Sequence, residues 1–137
     1  MSPLGLLDTD TLSEIMKGRN PSIEQHAREY LRTNGRFRFS VITRYEILRG
    51  LKAKQAVRQM AIFEDKCNRS YLYPVTDEIV VRASDIYAYL YQKGLLINDA
   101  DILIASTAMV HNLILITGNT DHFTRLPNLL CKNWKSP

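Results

Sequence analysis

The chain has little of what marks several common chemistries. It has two cysteines, Cys67 and Cys131, far apart in its 137 residues. That excludes a disulfide framework and a zinc-ligand spacing, and suits a reducing cytoplasm. Its three histidines, His26, His111 and His122, form no HExxH or other paired-ligand pattern, so a zinc hydrolase finds no support. There is no GxGxxG and no Walker-type loop, which leaves nucleotide cofactors without a cradle. No apolar run approaches the ~20 residues of a membrane span. The N-terminal stretch MSPLGLLDTD has neither a basic segment nor a cleavage pattern, so no signal peptide is expected. No repeat or low-complexity tract appears, and residues 1–137 are expected to form a single domain with one sizeable core.

What is present is an ordinary globular composition with an uneven charge. Apolar residues make up 45% and charged residues 23%. The net charge is +4, with 18 Lys and Arg against 14 acids. The excess is concentrated. Between Arg28 and Arg69 there are eleven basic residues and only four acids, a distribution that suits a polyanionic partner. The acids Asp8, Asp10, Asp99 and Asp101 lie outside that segment.

Strand and helix signals alternate. LGLL at 4–7 reads as a buried strand. Thr11 and Glu14 have capping-box spacing for a helix that stops before Pro21. Ser22 is expected to cap a second helix, closed by Asn34-Gly35. A strand over 36–42 leads to a helix opened by a second capping-box pair, Thr43 and Glu46. A helix over about 55–67 follows, then a short strand broken by Pro74. Thr76 is expected to cap a long helix ended by Gly94. Asn98 or Asp99 caps the next, which is apolar nearly all round and so predicted to be buried. NLILIT reads as a buried strand, TGNTDHF as a loop, and a weak strand falls near 129–133. The alternation predicts an α/β fold with a parallel sheet and helices on both faces.

In such folds the functional site lies beyond the carboxyl ends of the strands. Asp8 and Asp10 follow the first predicted strand. Thr43 and Glu46 follow the second, and Asn119 and Asp121 follow NLILIT. Asp99 and Asp101 open the helix that runs back to that strand. Each has a structural role available: strand end, capping box, helix macrodipole or solvated loop. Their convergence is harder to explain structurally, because gathered carboxylates raise one another's pKa. A hard divalent cation, Mg²⁺ or Mn²⁺, relieves that repulsion and suits phosphodiester chemistry.

LLDTDTLSE, SVITRYEILRGL, DADILIASTA and LILITGNTDHF, in this order, resemble the PIN-domain ribonucleases, and among them the VapC-type toxins of bacterial toxin–antitoxin pairs. The resemblance implies a PIN-like three-layer α/β/α sandwich. It also implies a Mg²⁺- or Mn²⁺-dependent endoribonuclease that cuts structured RNA, such as a tRNA or rRNA loop, by water attack on a phosphodiester. Asp8, Glu46 and Asp101 match the family's acids, and Asp99 stands where some members carry another. All four are candidate metal ligands. The fourth family position, directly before Phe, holds His122 here, which leaves Asn119 and Asp121 as auxiliary candidates. Thr9 and Thr43 offer hydroxyls to the site or caps to helices. Arg36, Arg38, Arg44, Arg49, Lys52 and Lys54 are candidates for phosphate contact. Implied partners are the RNA substrate, a VapB-type antitoxin and a second copy of the chain. A homodimer would use the early helices, whose Leu12, Ile15, Met16, Ile23 and Leu31 suit the core equally well. A cytoplasmic location follows.

Three other readings compete. A PIN-like module that binds RNA without cutting it would lack acids that this chain has. A receiver-type domain needs a phosphoacceptor Asp closing a middle strand, and none stands at Ser40-Val41-Ile42. A purely structural subunit leaves the acids unexplained.

Overall fold

The structure, a computed structural model, describes residues 4–137. The part of the N-terminal reading that falls on residues 1–3 lies outside the described residues. Five strands, β1 (Gly5–Leu7), β2 (Arg38–Ser40), β3 (Tyr71–Tyr73), β4 (Ile114–Ile116) and β5 (Cys131–Lys132), form one sheet. Its order is β3-β2-β1-β4-β5 and every pairing is parallel. Seven helices connect them: α1 (Thr9–Lys17), α2 (Pro21–Asn34), α3 (Val41–Ala53), α4 (Val57–Asn68), α5 (Asp77–Lys93), α6 (Asp99–Val110) and α7 (Thr120–Phe123).

The central strands β1 and β4 are buried on both faces, which is why they read as apolar runs. Successive side chains point to opposite sides of the sheet. Leu6, Leu115 and Tyr73 pack with Ile86, Leu90 and Ile104 of α5 and α6. Leu7, Ile116 and Phe39 pack with Leu12, Ile23 and Phe63 of α1, α2 and α4. These two cores make the expected α/β/α layers. The tight pairing of β1 and β4 needs Gly5, since a Cβ there would lie 2.9 Å from Ile116 Cδ1. The Tyr30 hydroxyl accepts from the Gly5 N–H at 3.2 Å and donates to its carbonyl at 3.1 Å.

Several helix starts differ from the sequence reading. The first helix is capped by Asp8, whose side chain accepts from the Thr11 N–H, and not by Thr11. The second begins at Pro21 with Asn20 as cap, ahead of Ser22. Proline at the first helical position lacks only an N–H that has no intrahelical partner, so the helix starts there. The third is capped by Ser40, so Thr43 and Glu46 lie inside it and form no capping box. The loop reading of TGNTDHF also gives way, because 120–123 close a short helical turn. Thr76, Gly94 and Asn98 occupy the expected capping positions.

Both cysteines are free thiols. Among the described residues, no helix is long and apolar enough to cross a membrane. Leu12 and Ile23 are fully buried inside the monomer, which removes them from any interface on the early helices. The exposed apolar side chains of α5, Val80, Val81, Tyr87 and Tyr91, contrast with them.

Candidate active site

At the carboxyl end of the sheet, the chain leaves β1 at Leu7, β2 at Ser40 and β4 at Ile116 and turns at once into the next segment. A cleft of about 650 Å³ opens there, lined by Asp8, Thr9, Asp10 and Ser13 of the β1–α1 corner, Glu46, Asp101, Gly118, Asn119 and Lys135 among others. Three of the acids expected from sequence therefore face one space, although they come from three separate parts of the chain.

Asp8 is 5% exposed. Its N–H donates to the Ile116 carbonyl at 3.0 Å, and its Oδ1 accepts from the Thr11 N–H at 2.8 Å. Burial raises the pKa of its carboxyl, and the Asp10 charge adds to that; hydrogen bonds from Thr117 and Thr11 pull the other way. The cost of ionising Asp8 in this dry position is thus only partly offset by its donors.

Glu46 lies one turn into α3, on the face turned to α1. The Thr9 hydroxyl donates to Glu46 Oε1 at 2.6 Å, and the Thr9 and Thr43 hydroxyl oxygens are 3.0 Å apart. Arg49 Nη2 stands 3.8 Å from Glu46 Oε2. The Thr9 hydroxyl thus serves the glutamate directly and Thr43 bonds Thr9, and neither hydroxyl caps a helix.

Asp101 sits in the first turn of α6. Asn98 caps that helix by accepting from the Asp101 N–H at 2.8 Å, and its Nδ2 donates to Asp101 Oδ2 at 3.1 Å. Burial raises the Asp101 pKa and the Glu46 charge raises it further, while Asn98 and His122 lower it. Asp101 therefore senses the charge of Glu46 across the cleft.

Asp99 is placed elsewhere. It lines a groove between α5 and α6 with Val80, Tyr87 and Leu103. Two residues along a helix turn a side chain by about 200°, so Asp99 and Asp101 face different ways. Asn119 reaches the cleft, where its N–H donates to Thr117 Oγ1 at 2.9 Å and its side chain lies 2.7 Å from His122 Nδ1. Asp121 is exposed on α7 and is not among the residues lining the cleft.

The basic candidates scatter. Arg36 and Arg38 stand at the entry of β2, the end of the sheet away from the cleft, where Arg38 donates to the Tyr73 hydroxyl at 2.7 Å. Arg44 forms a two-pronged ion pair with Glu64 of α4 and also reaches Cys67 Sγ. Arg49 flanks Glu46. Lys52 and Lys54 are exposed near the end of α3. Lys54 also lines a groove of about 520 Å³ between α1, α3 and α4, with Met16, Ile47, Leu51 and Ile62.

Residues unnoticed in the sequence complete the site. Thr117, at the end of β4, bonds Asp8, and its place directly after a buried apolar strand was the only signal. Lys135, from the C-terminal tail, pairs with Asp10 at 3.0 Å, and nothing local in the sequence predicts that.

A divalent cation suits this donor set in kind, because Asp8, Glu46 and Asp101 offer hard oxygens and concentrated negative charge. Among the described residues, no three Asp, Glu, His or Cys side chains are grouped tightly enough to hold a metal ion as they stand. Glu46 explains part of that, since Thr9 and Arg49 hold it to α1 and α3.

A parallel five-stranded α/β/α sandwich with acids at its carboxyl edge is the architecture of one nuclease-containing class, and residues 5–129 match its family, the PIN domain. The chain belongs to the PIN-domain family. Within it, the chain is of the VapC type. It is 34% identical over 121 residues to ribonuclease VapC1 of Methanocaldococcus jannaschii, covering 88% of this chain and 79% of that protein. It is 28% identical to the tRNA(fMet)-specific endonuclease VapC of Salmonella typhimurium, covering 94% and 96%. The crystal structure of DNA-bound VapBC from Salmonella typhimurium superposes with a TM-score of 0.85 at 25% identity, covering 97% of this chain and 99% of that one.

Proposed function

We propose that the protein is an endoribonuclease toxin that hydrolyses phosphodiester bonds in structured RNA and is neutralised by a VapB-type antitoxin. The observation that carries this reading is the meeting of Asp8, Glu46 and Asp101 in one cleft, with Asp8 and Asp101 both held above the ordinary carboxylate range by burial. A purely structural role would favour acids that ionise easily. Relatives named as ribonuclease and as tRNA(fMet)-specific endonuclease support the same chemistry. The fold neighbour that is a VapBC complex supports the antitoxin.

Asp8, Glu46 and Asp101 would hold Mg²⁺ or Mn²⁺, with Asn119 beside them and Asp99 left outside. When bound, the ion supplies charge neutralisation and Lewis acidity at a phosphoryl oxygen. The protein's own residues do the rest. Thr11 and Thr117 orient Asp8, Thr9 fixes Glu46, and Asn98 fixes Asp101. Asp101 faces the cleft and, unlike Asp8, is only half-buried, so it is the acid placed to accept a proton from the attacking water. Arg49, which flanks Glu46, and Lys54, which lines a groove shared with Thr9 and Glu46, are assigned phosphate contacts; Arg36 and Arg38 are not. The groove of Met16, Ile47, Leu51 and Ile62 runs beside the acids and offers an apolar seat for an antitoxin segment.

The test is incubation of the purified chain with total bacterial RNA and Mg²⁺ or Mn²⁺, with EDTA and Asp8→Ala as controls. Discrete cuts that need the metal and disappear in Asp8→Ala are expected. RNA binding without cleavage under either metal would replace this reading with that of a binding module.

A further inference from the structure

Lys135 lies beyond residues 5–129, the stretch that matches the family. Its backbone is fixed from both sides. The preceding residue, Trp134, is 4% exposed and packs against Tyr30 and His26, with ring centroids 5.7 and 5.9 Å away. The Ser22 hydroxyl donates to the Trp134 carbonyl at 2.9 Å. The Asn133 side chain accepts from the Lys135 N–H at 2.8 Å, and His26 Nε2 lies 3.2 Å from the Ser136 carbonyl. From this anchor the lysine stem crosses Gly118 so closely that a Cβ there would sit 2.7 Å from Lys135 Cε. The ammonium ends in the acidic cleft, 3.0 Å from Asp10 Oδ2, with the side chain still 40% exposed.

An exposed ion pair alone contributes little to stability and needs no such anchoring. A nuclease cleft does need a cation, because a phosphodiester approaching Asp8, Asp10, Glu46 and Asp101 meets a strongly negative field. An ammonium delivered by a rigid backbone offers that charge at low ordering cost.

We propose that Lys135 is a substrate-binding residue of the cleft. Its ammonium exchanges Asp10 in the free protein for a backbone phosphate of the RNA in the complex. Asp10 is then a competitor that parks the lysine when no RNA is bound. The inference rests on the ribonuclease reading above.

The test uses the full chain and fluorescein-labelled total tRNA. Binding is read in an Asp8→Asn background, which keeps the helix cap and stops cleavage, and cleavage is read with Asp8 intact. Lys135→Met keeps the stem over Gly118 and removes the charge. It is expected to weaken binding roughly tenfold at low salt and to make the slope of log K against log salt shallower by about 0.7 to 0.9, the loss of one phosphate contact. Lys135→Arg should recover most of the affinity. Asp10→Asn should tighten binding, and Lys135→Met should still weaken it in the Asp10→Asn background.

If the pair is only structural, both single variants lower the Tm alike and the Lys135→Met effect on RNA vanishes once Asp10 is Asn. That result, or an unchanged affinity and salt slope in Lys135→Met beside an active parent, overturns the role of Lys135 and leaves the ribonuclease reading standing. A parent chain that neither binds nor cuts tRNA with Mn²⁺ overturns both.

Discussion

Asp8 is both a helix cap and a buried charge, and the two roles respond differently to substitution. In Asp8→Asn the side-chain oxygen still accepts from the Thr11 N–H, since Asn caps as well as Asp. The ionic cost of a carboxylate that is 5% exposed disappears. Relief of this kind at a functional position typically contributes about 0.5–2 kcal/mol. A gain near the middle of that range raises the Tm by roughly 3–6 °C in a domain of this size. The pH dependence provides the sharper check. Burial raises the Asp8 pKa above its ordinary value of 3.8, so the folded state binds this proton more tightly than the unfolded state. Ionisation therefore costs stability as the pH rises through the folded pKa, and costs nothing below the unfolded value. The advantage of Asp8→Asn over the parent should vanish below about pH 4 and grow as the pH rises through the folded pKa of Asp8. Asp8→Ala should fall about 1 kcal/mol below Asp8→Asn at every pH, because it loses the cap. Melting followed by circular dichroism in metal-free buffer across this range measures all three. An Asp8→Asn protein no more stable than the parent near pH 7, or a difference that does not change with pH, would refute the buried-charge reasoning.

Two other perturbations test how the site is held. Thr9→Val removes the hydroxyl that bonds Glu46 Oε1 while keeping the shape of the side chain; RNA cleavage should fall about tenfold or more with a Tm change of only a few degrees, and unchanged kcat/KM would show that Glu46 needs no such support. Tyr30→Phe strands both polar groups of Gly5 at the start of β1, so urea unfolding should show a loss of about 1–3 kcal/mol, and a neutral result would mean that water replaces the hydroxyl.

Much of the fold was legible because its signals are local. Apolar triplets such as GLL and ILI mark the central strands, and Thr76, Gly94 and Asn98 act on backbone groups within a turn of themselves. The errors came where two local signals competed. Thr43 and Glu46 have capping-box spacing, but Ser40 and the end of β2 start the helix sooner, and that shift frees Glu46 for Thr9 and the cleft. Thr11 likewise lost the cap to Asp8, which explains how one acid can hold a helix and face a site together.

The sequence by itself determined that strands and helices alternate, that the sheet is parallel, and that acids follow the strands, because periodicity and turn chemistry act over a few residues. Tertiary structure decided which of those acids share a cleft. Helical rotation sends Asp101 to the cleft and Asp99 to the α5–α6 groove, although they are two residues apart. Only three-dimensional packing separates Arg36 and Arg38 from the acids, spends Arg44 on Glu64, and brings Lys135 from the end of the chain to Asp10 near its start. Such contacts depend on where whole elements dock, and that placement is settled by burial of the two cores on either side of the sheet.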